Sequence, residues 1–170
     1  MPEASMNLDG PAMFTGATDD ELALASRTTS GQWTLLRWRP FATQPVLTFA
    51  TFDAYPSWVA FDSQRAIVYS EDEGTIVTWP RVDKATPSTI LTNVPSSSAT
   101  ALASDGTNLV IRSQTALSTC AIADCENTLR PIQTPTTFTK ARYLFIDQSW
   151  AYFFHSKSDS GPMTLVRVPR

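Results

Sequence analysis

The sequence predicts an all-β fold, and three observations carry that expectation. Asp20, Asp62, Asp105 and Asp147 recur at intervals of 42, 43 and 42 residues. Each ends one apolar run of strand character and is followed, after a turn, by a second. No window sustains helical periodicity, because prolines and β-branched residues interrupt every candidate. A fixed period of this length marks units too small to bury their own apolar faces, which must therefore stack on one another.

Aligned on the aspartates, the chain reads as four copies of one pattern. In the first copy the strand candidates are 12–20, 22–27, 33–39 and 45–49, with Ser30-Gly31 as the hairpin turn. The second copy offers 57–62, 66–70, 75–81 and 88–92, turning at Glu73-Gly74. The third offers 100–105, 108–113, 116–122 and 129–134, with Asp105-Gly106 between its first two strands. The fourth offers 141–147, 151–155 and 163–168, with Ser160-Gly161 before the last. Third strands share a register: Thr34-Leu35-Leu36-Arg37-Trp38 matches Thr75-Ile76-Val77-Thr78-Trp79 and Thr164-Leu165-Val166-Arg167-Val168, and Cys120 falls in the column of Trp38, Trp79 and Val168.

Four short strands per unit is the arithmetic of a β-propeller blade. The expectation is one domain over residues 1–170, with repeats at 12–52, 57–94, 99–134 and 141–170, forming about four four-stranded antiparallel blades. Such a chain is either a small closed propeller or part of a larger one. A β-sandwich is the alternative, since about fifteen short strands also suit it, but a sandwich does not require a residue-level repeat. The fourth copy lacks an outer strand, which Ala4 to Leu8 would supply if the ring closes; otherwise open edges invite self-association or a partner chain.

Composition narrows the function classes. The 170 residues are 42% apolar and 17% charged, which fits a globular domain and not a disordered one. A net charge of −3 and the absence of any basic run argue against nucleic acid as a partner. No stretch approaches the roughly 20 apolar residues of a membrane-spanning helix. The first residues carry neither a basic nor an apolar segment of secretory type, so the chain reads as cytoplasmic or as lacking its leader.

These residues resemble bacterial propeller repeats of the TolB-like or YWTN-like kind. The matches are Val59-Ala60-Phe61-Asp62, Ile67-Val68-Tyr69-Ser70 and Gly74-Thr75-Ile76-Val77. Cys120-Ala121-Ile122-Ala123-Asp124-Cys125 is similar to the paired-cysteine third-strand hairpin of some of these repeats. The resemblance implies a platform that binds a ligand or partner, often outside the cytoplasm, with no single activity attached.

The candidate sites are few. Trp38 and Trp79 with Arg37, Arg39 and Arg81 form an aromatic and basic stripe on neighbouring third strands; facing solvent it would hold a peptide or sugar, facing inward it would pack blade on blade. Cys120 and Cys125 are either a disulfide across a hairpin or two reduced thiols. With one histidine in the chain and no second cysteine pair, no metal or cofactor is expected. The four aspartates are either backbone-capping residues of their turns or carboxylates around a central channel, as a propeller-type hydrolase or lyase would use. Asp19-Asp20-Glu21 and Glu71-Asp72-Glu73 read as solvated turn charge, and His155, near Lys157 and Asp159, as a surface or packing histidine without a nucleophile motif. The expected function is a non-catalytic binding or scaffolding module for a protein, peptide or carbohydrate.

Overall fold

Apolar runs of four to seven residues, broken by turn residues, become strands that pair with their nearest neighbours in sequence. The structure is a computed structural model that describes residues 8, 10–17, 22–42, 46–82, 85–94, 101–113, 116–134, 141–155 and 162–170. The first sheet contains β1 (Ala12–Ala17), β2 (Leu22–Arg27), β3 (Trp33–Trp38) and β4 (Val46–Phe52), in that spatial order. The second contains β5 (Trp58–Phe61), β6 (Arg65–Ser70), β7 (Thr75–Pro80) and β8 (Ser88–Leu91). The third is β9 (Ala101–Ser104), β10 (Asn108–Arg112), β11 (Leu117–Ala121) and β12 (Arg130–Ile132). The fourth has three described strands, β13 (Ala141–Ile146), β14 (Trp150–His155) and β15 (Thr164–Pro169). All pairings are antiparallel.

The architecture is that of propeller-like blades, and among the described residues the sheets form an arc that does not close into a ring. The inner strands β1, β5, β9 and β13 follow one another side by side. A residue-by-residue alternation explains why the sheets stack. Along β6, Ala66 and Val68 face the first sheet while Ile67 and Tyr69 face the third. Along β10, Leu109 and Ile111 face the second sheet and Val110 faces the fourth. A strand buried on both sides must be apolar at successive positions, and these runs are.

Three apolar clusters result, one at each seam. The first joins Ala25, Leu35 and Trp33 to Val59, Val68 and Trp79. The second joins Ile67, Tyr69 and Ile76 to Leu102, Leu109 and Ile111. The third joins Val110 and Leu117 to Leu144, Phe153 and Val168. A sandwich would present one continuous interior between two sheets, so that alternative is excluded by this division. Trp58 adds a polar tie, its indole Nε1 donating to the Leu102 carbonyl at 3.1 Å, from β5 across to β9.

One detail departs from the expected strands. Between β11 and β12 the chain makes a short helical turn, a 3-10 segment at Ile122–Asp124 and one α turn, α1 (Cys125–Thr128). Four residues are too few to leave a helical period in a sequence. Side chains stabilise the turn: Thr128 Oγ1 accepts from the Ala121 N–H and donates to the Asp124 carbonyl, and Asn127 reaches the Asp124 carboxylate. Cys120 on β11 and Cys125 on α1 are joined by a disulfide, both buried in the second seam. The proposed splice strand, Ala4 to Leu8, falls almost wholly outside the described residues, as does Asp20.

Truncation at a seam tests this packing. Phe153→Ala removes a fully buried ring from the third cluster and is expected to cost about 3–5 kcal/mol in urea unfolding. Thr89→Ala, at an exposed position of β8, is expected to stay within about 0.5 kcal/mol.

Candidate functional site

Where blades one and two meet, the β2–β3 turn, the β4–β5 connection and the β6–β7 turn come together on one face and enclose a cleft of about 670 Å³. Arg27 from the end of β2, Trp33 from the start of β3, Asp53 and Tyr55 from the β4–β5 connection, and Asp72 from the β6–β7 turn line it. Trp33 is buried in the seam and Tyr55 is half-exposed, and their rings meet edge to face at 5.4 Å and 78°. Edge-to-face contact holds both rings together at the cleft wall.

Local sequence chemistry fixes the rim. Gly31 has φ of +91°, a left-handed conformation that glycine adopts without strain. It closes a turn in which Gly31 N–H donates to the Thr28 carbonyl and Gln32 N–H donates to Thr28 Oγ1. Arg27 Nε donates to the Gly31 carbonyl at 3.2 Å, and Gln32 Nε2 donates to Asp53 Oδ1 at 3.0 Å. A neighbouring cavity of about 400 Å³ shares Asp53 with the cleft and is lined further by Phe52, Ser70, Glu73 and Trp79. Aromatic walls edged by carboxylates and one guanidinium can take a ligand with an apolar face and several hydrogen-bond donors.

The structure places Trp38, Trp79, Arg37, Arg39 and Arg81 in different surroundings. Trp79 lies in the first seam, stacked on Phe52 at 5.3 Å, and forms part of the smaller cavity's wall. Arg81, at the far end of β7 from the cleft, donates to the Asp62 carbonyl at 2.9 Å and lies 5.9 Å from the Phe61 ring. Arg37 and Trp38 are half-buried and Arg39 is exposed, at the corresponding far end of β3. Glu71-Asp72-Glu73 is indeed a turn, but Asp72 and Glu73 reach the two cavities. His155 ends β14, and its side chain, with Lys157 and Asp159, lies outside the described residues.

The aspartates do one job three times. Asp62 Oδ1 accepts from the N–H groups of Gln64 and Arg65, Asp105 Oδ1 from Thr107 and Asn108, and Asp147 Oδ1 from Ser149 and Trp150, all at 2.7–2.9 Å. Each caps its own β-turn in the Asx manner. The second oxygens of two of them tie blades together: Asp62 Oδ2 accepts from Ser104 at 2.8 Å and Asp105 Oδ2 from Arg170 at 2.6 Å. Asp147 Oδ2 accepts from Tyr152 of its own blade, which lowers the aspartate's pKa and raises the tyrosine's. Among the described residues no group of three histidine, cysteine, aspartate or glutamate side chains could hold a metal ion.

No family model matches the chain, and no curated protein matches it. Among solved structures, it is similar to the computationally designed Ika8 protein at 12% identity and a TM-score of 0.59, over 97% of this chain and 48% of that one. It is also similar to the glutaminyl cyclase of Myxococcus xanthus at 6% identity and a TM-score of 0.52, over 94% of this chain and 73% of that one. The chain thus spans about half the length of the designed protein. Likeness at these identities establishes the propeller-like fold and nothing of the chemistry.

Asp105 supplies a pH test of the blade tie. Burial acts to raise its pKa, but the Asn108 and Thr107 N–H groups and the Arg170 guanidinium outweigh it and lower the value to about 2. A carboxyl held below its unfolded value of 3.8 contributes stability that is complete above about pH 4 and lost as pH falls toward 2. Asp105→Asn is expected to unfold about 1 kcal/mol more easily at neutral pH, after allowance for solvent screening, with the difference from the parent shrinking below pH 4 and lost as pH falls through about 2.

Proposed function

We propose that the chain is a non-catalytic binding module whose cleft between blades one and two receives a peptide or a carbohydrate. The observation that carries this reading is the cleft itself: a half-exposed tyrosine set against a buried tryptophan, with Asp53, Asp72 and Arg27 around it. Aromatic surface holds an apolar or CH-rich ligand face, and the carboxylates take its hydroxyl or ammonium donors. The resemblance to TolB-like and YWTN-like repeats supports a partner-binding platform, though not this particular cleft. A hydrolase or lyase built on repeating aspartates finds less support, because Asp62, Asp105 and Asp147 are engaged by their own turns.

A glycan array and a library of lysine- and arginine-containing peptides test the reading. At least one set is expected to bind the parent protein, and Tyr55→Ala and Asp72→Asn are each expected to weaken that binding about tenfold or more, equivalent to about 1.4 kcal/mol. Absence of binding to both sets, or binding indifferent to both substitutions, would defeat it.

A second reading, assembly of a partial propeller with another copy of the chain, rests on a different observation. On the fourth blade Phe145 and Leu165 are 55% and 56% exposed, whereas Leu144, Phe153 and Val168 on its other side are buried in the third seam. Three seams in the molecule pair such faces, so a fourth blade face is suited to receive a blade from a second copy. Light scattering is expected to show a dimer that Phe145→Glu dissolves; a monomer at every concentration contradicts this reading.

A further inference from the structure

The alternation along β10 ends on a residue that does not belong in a seam. Val110 faces the fourth blade, and two positions on, Arg112 continues that side. Its ladder partners, Ala101 and Leu117, both belong to the apolar cluster between blades three and four. Only 5% of Arg112 is exposed. At the corresponding end of β6 the second blade places Tyr69, fully buried against the third blade. One sheet fills the position with a phenol; the next fills it with a guanidinium.

A guanidinium cannot shed its charge in a protein, so burial without a counter-charge is costly. Other arginines of the arc are supplied with acceptors. Arg65 reaches Gln64 and the Gly106 carbonyl, Arg170 reaches Asp105 and the Gln148 carbonyl, and Arg81 reaches the Asp62 carbonyl. Arg81 and Arg170 each also keep one buried nitrogen without a partner, but a terminal nitrogen of each has an acceptor. The buried Nε of Arg112 has none, and among the described residues no acceptor or carboxylate pairs with its guanidinium. Burial pushes its pKa down with no opposing anion. The strand end it occupies is equivalent to that of Arg27, the arginine that lines the cleft between blades one and two. Arg27 and Arg112 thus hold the same blade position, the first exposed at the cleft and the second buried against the fourth blade.

We infer that Arg112 is the anion-recognising group of a second ligand site, at the seam of blades three and four, and that its ligand is an organic carboxylate. A guanidinium matches a carboxylate with two parallel hydrogen bonds, satisfying the buried Nε and one terminal nitrogen together. Aliphatic neighbours at Ala101 and Leu117 favour a carboxylate with an apolar substituent over the more strongly hydrated phosphate. A free aliphatic acid and a peptide C-terminus share this chemistry. The site is independent of the proposed cleft and stands or falls without it.

The test uses the full chain at constant ionic strength, titrated with sodium butyrate, with inorganic phosphate, and with a short peptide in free-acid and C-terminally amidated forms. Butyrate is expected to raise the thermal midpoint in a saturable way that equal sodium chloride does not reproduce. Arg112→Met is expected to weaken the response at least tenfold, and Arg112→Lys, which keeps charge but loses the fork, several-fold. Response to the free-acid peptide and not its amide identifies a chain terminus as the ligand; response to butyrate alone identifies a small acid. If Arg112→Met fails to fold, amide chemical shifts of the parent under butyrate, expected to move around β10 and β11, decide the matter together with Arg112→Lys. No saturable carboxylate effect on the parent, an equal effect on Arg112→Met, or a response to phosphate in place of butyrate overturns the assignment.

Discussion

Burial of both faces of each inner sheet is the constraint on which everything else rests. A four-stranded antiparallel sheet of this size cannot stabilise itself in water, and its strands are too short to curl into a private barrel. Alternate residues of β6 and β10 enter different seams, so each blade contributes apolar surface to the blade before it and the blade after it. The apolar area is spread over three modest clusters instead of one large core, and the cleft opens at the edge of the first of them.

Polar ties then set the angle at which sheets meet. The Asx turns do two things with one carboxylate: one oxygen holds the turn, and in the second and third blades the other reaches the next sheet or beyond. These contacts lie at the strand ends, away from the apolar seams, where water still competes. Their contribution is modest individually, but they act where small rotations of one blade against another would otherwise be cheap. On the opposite end of the blades the β2–β3, β4–β5 and β6–β7 connections bring aromatic and acidic residues together, and there the cleft forms.

Strand positions were largely legible because period, apolar runs and turn residues all point the same way; β2 runs over the very residues its sequence marks out. The capping role of the aspartates was legible too, since one residue type at one turn position is what backbone satisfaction demands. The cleft was not. Arg27, Asp53, Tyr55 and Asp72 come from three separate connections with nothing in common in sequence, and only the stacking of two blades assembles them. The Trp and Arg stripe shows why a column needs its face: alternation sends Trp79 into a seam, one of the two orientations the sequence left open, while Arg81 turns back to the Asp62 carbonyl. Arg112 hides at the end of an apolar run, where a charged residue ordinarily signals the edge of burial.

Consecutive polar substitution along the second strands of the two middle blades tests the two-faced burial most directly. Ile67→Asn, Val68→Asn, Leu109→Asn and Val110→Asn, compared by urea unfolding midpoint, sample both sides of β6 and β10. If each blade is sandwiched between neighbours, all four lower the midpoint strongly and by similar amounts. If tolerance alternates with a period of two, one face of these sheets is open to water and the stacked-blade account is wrong.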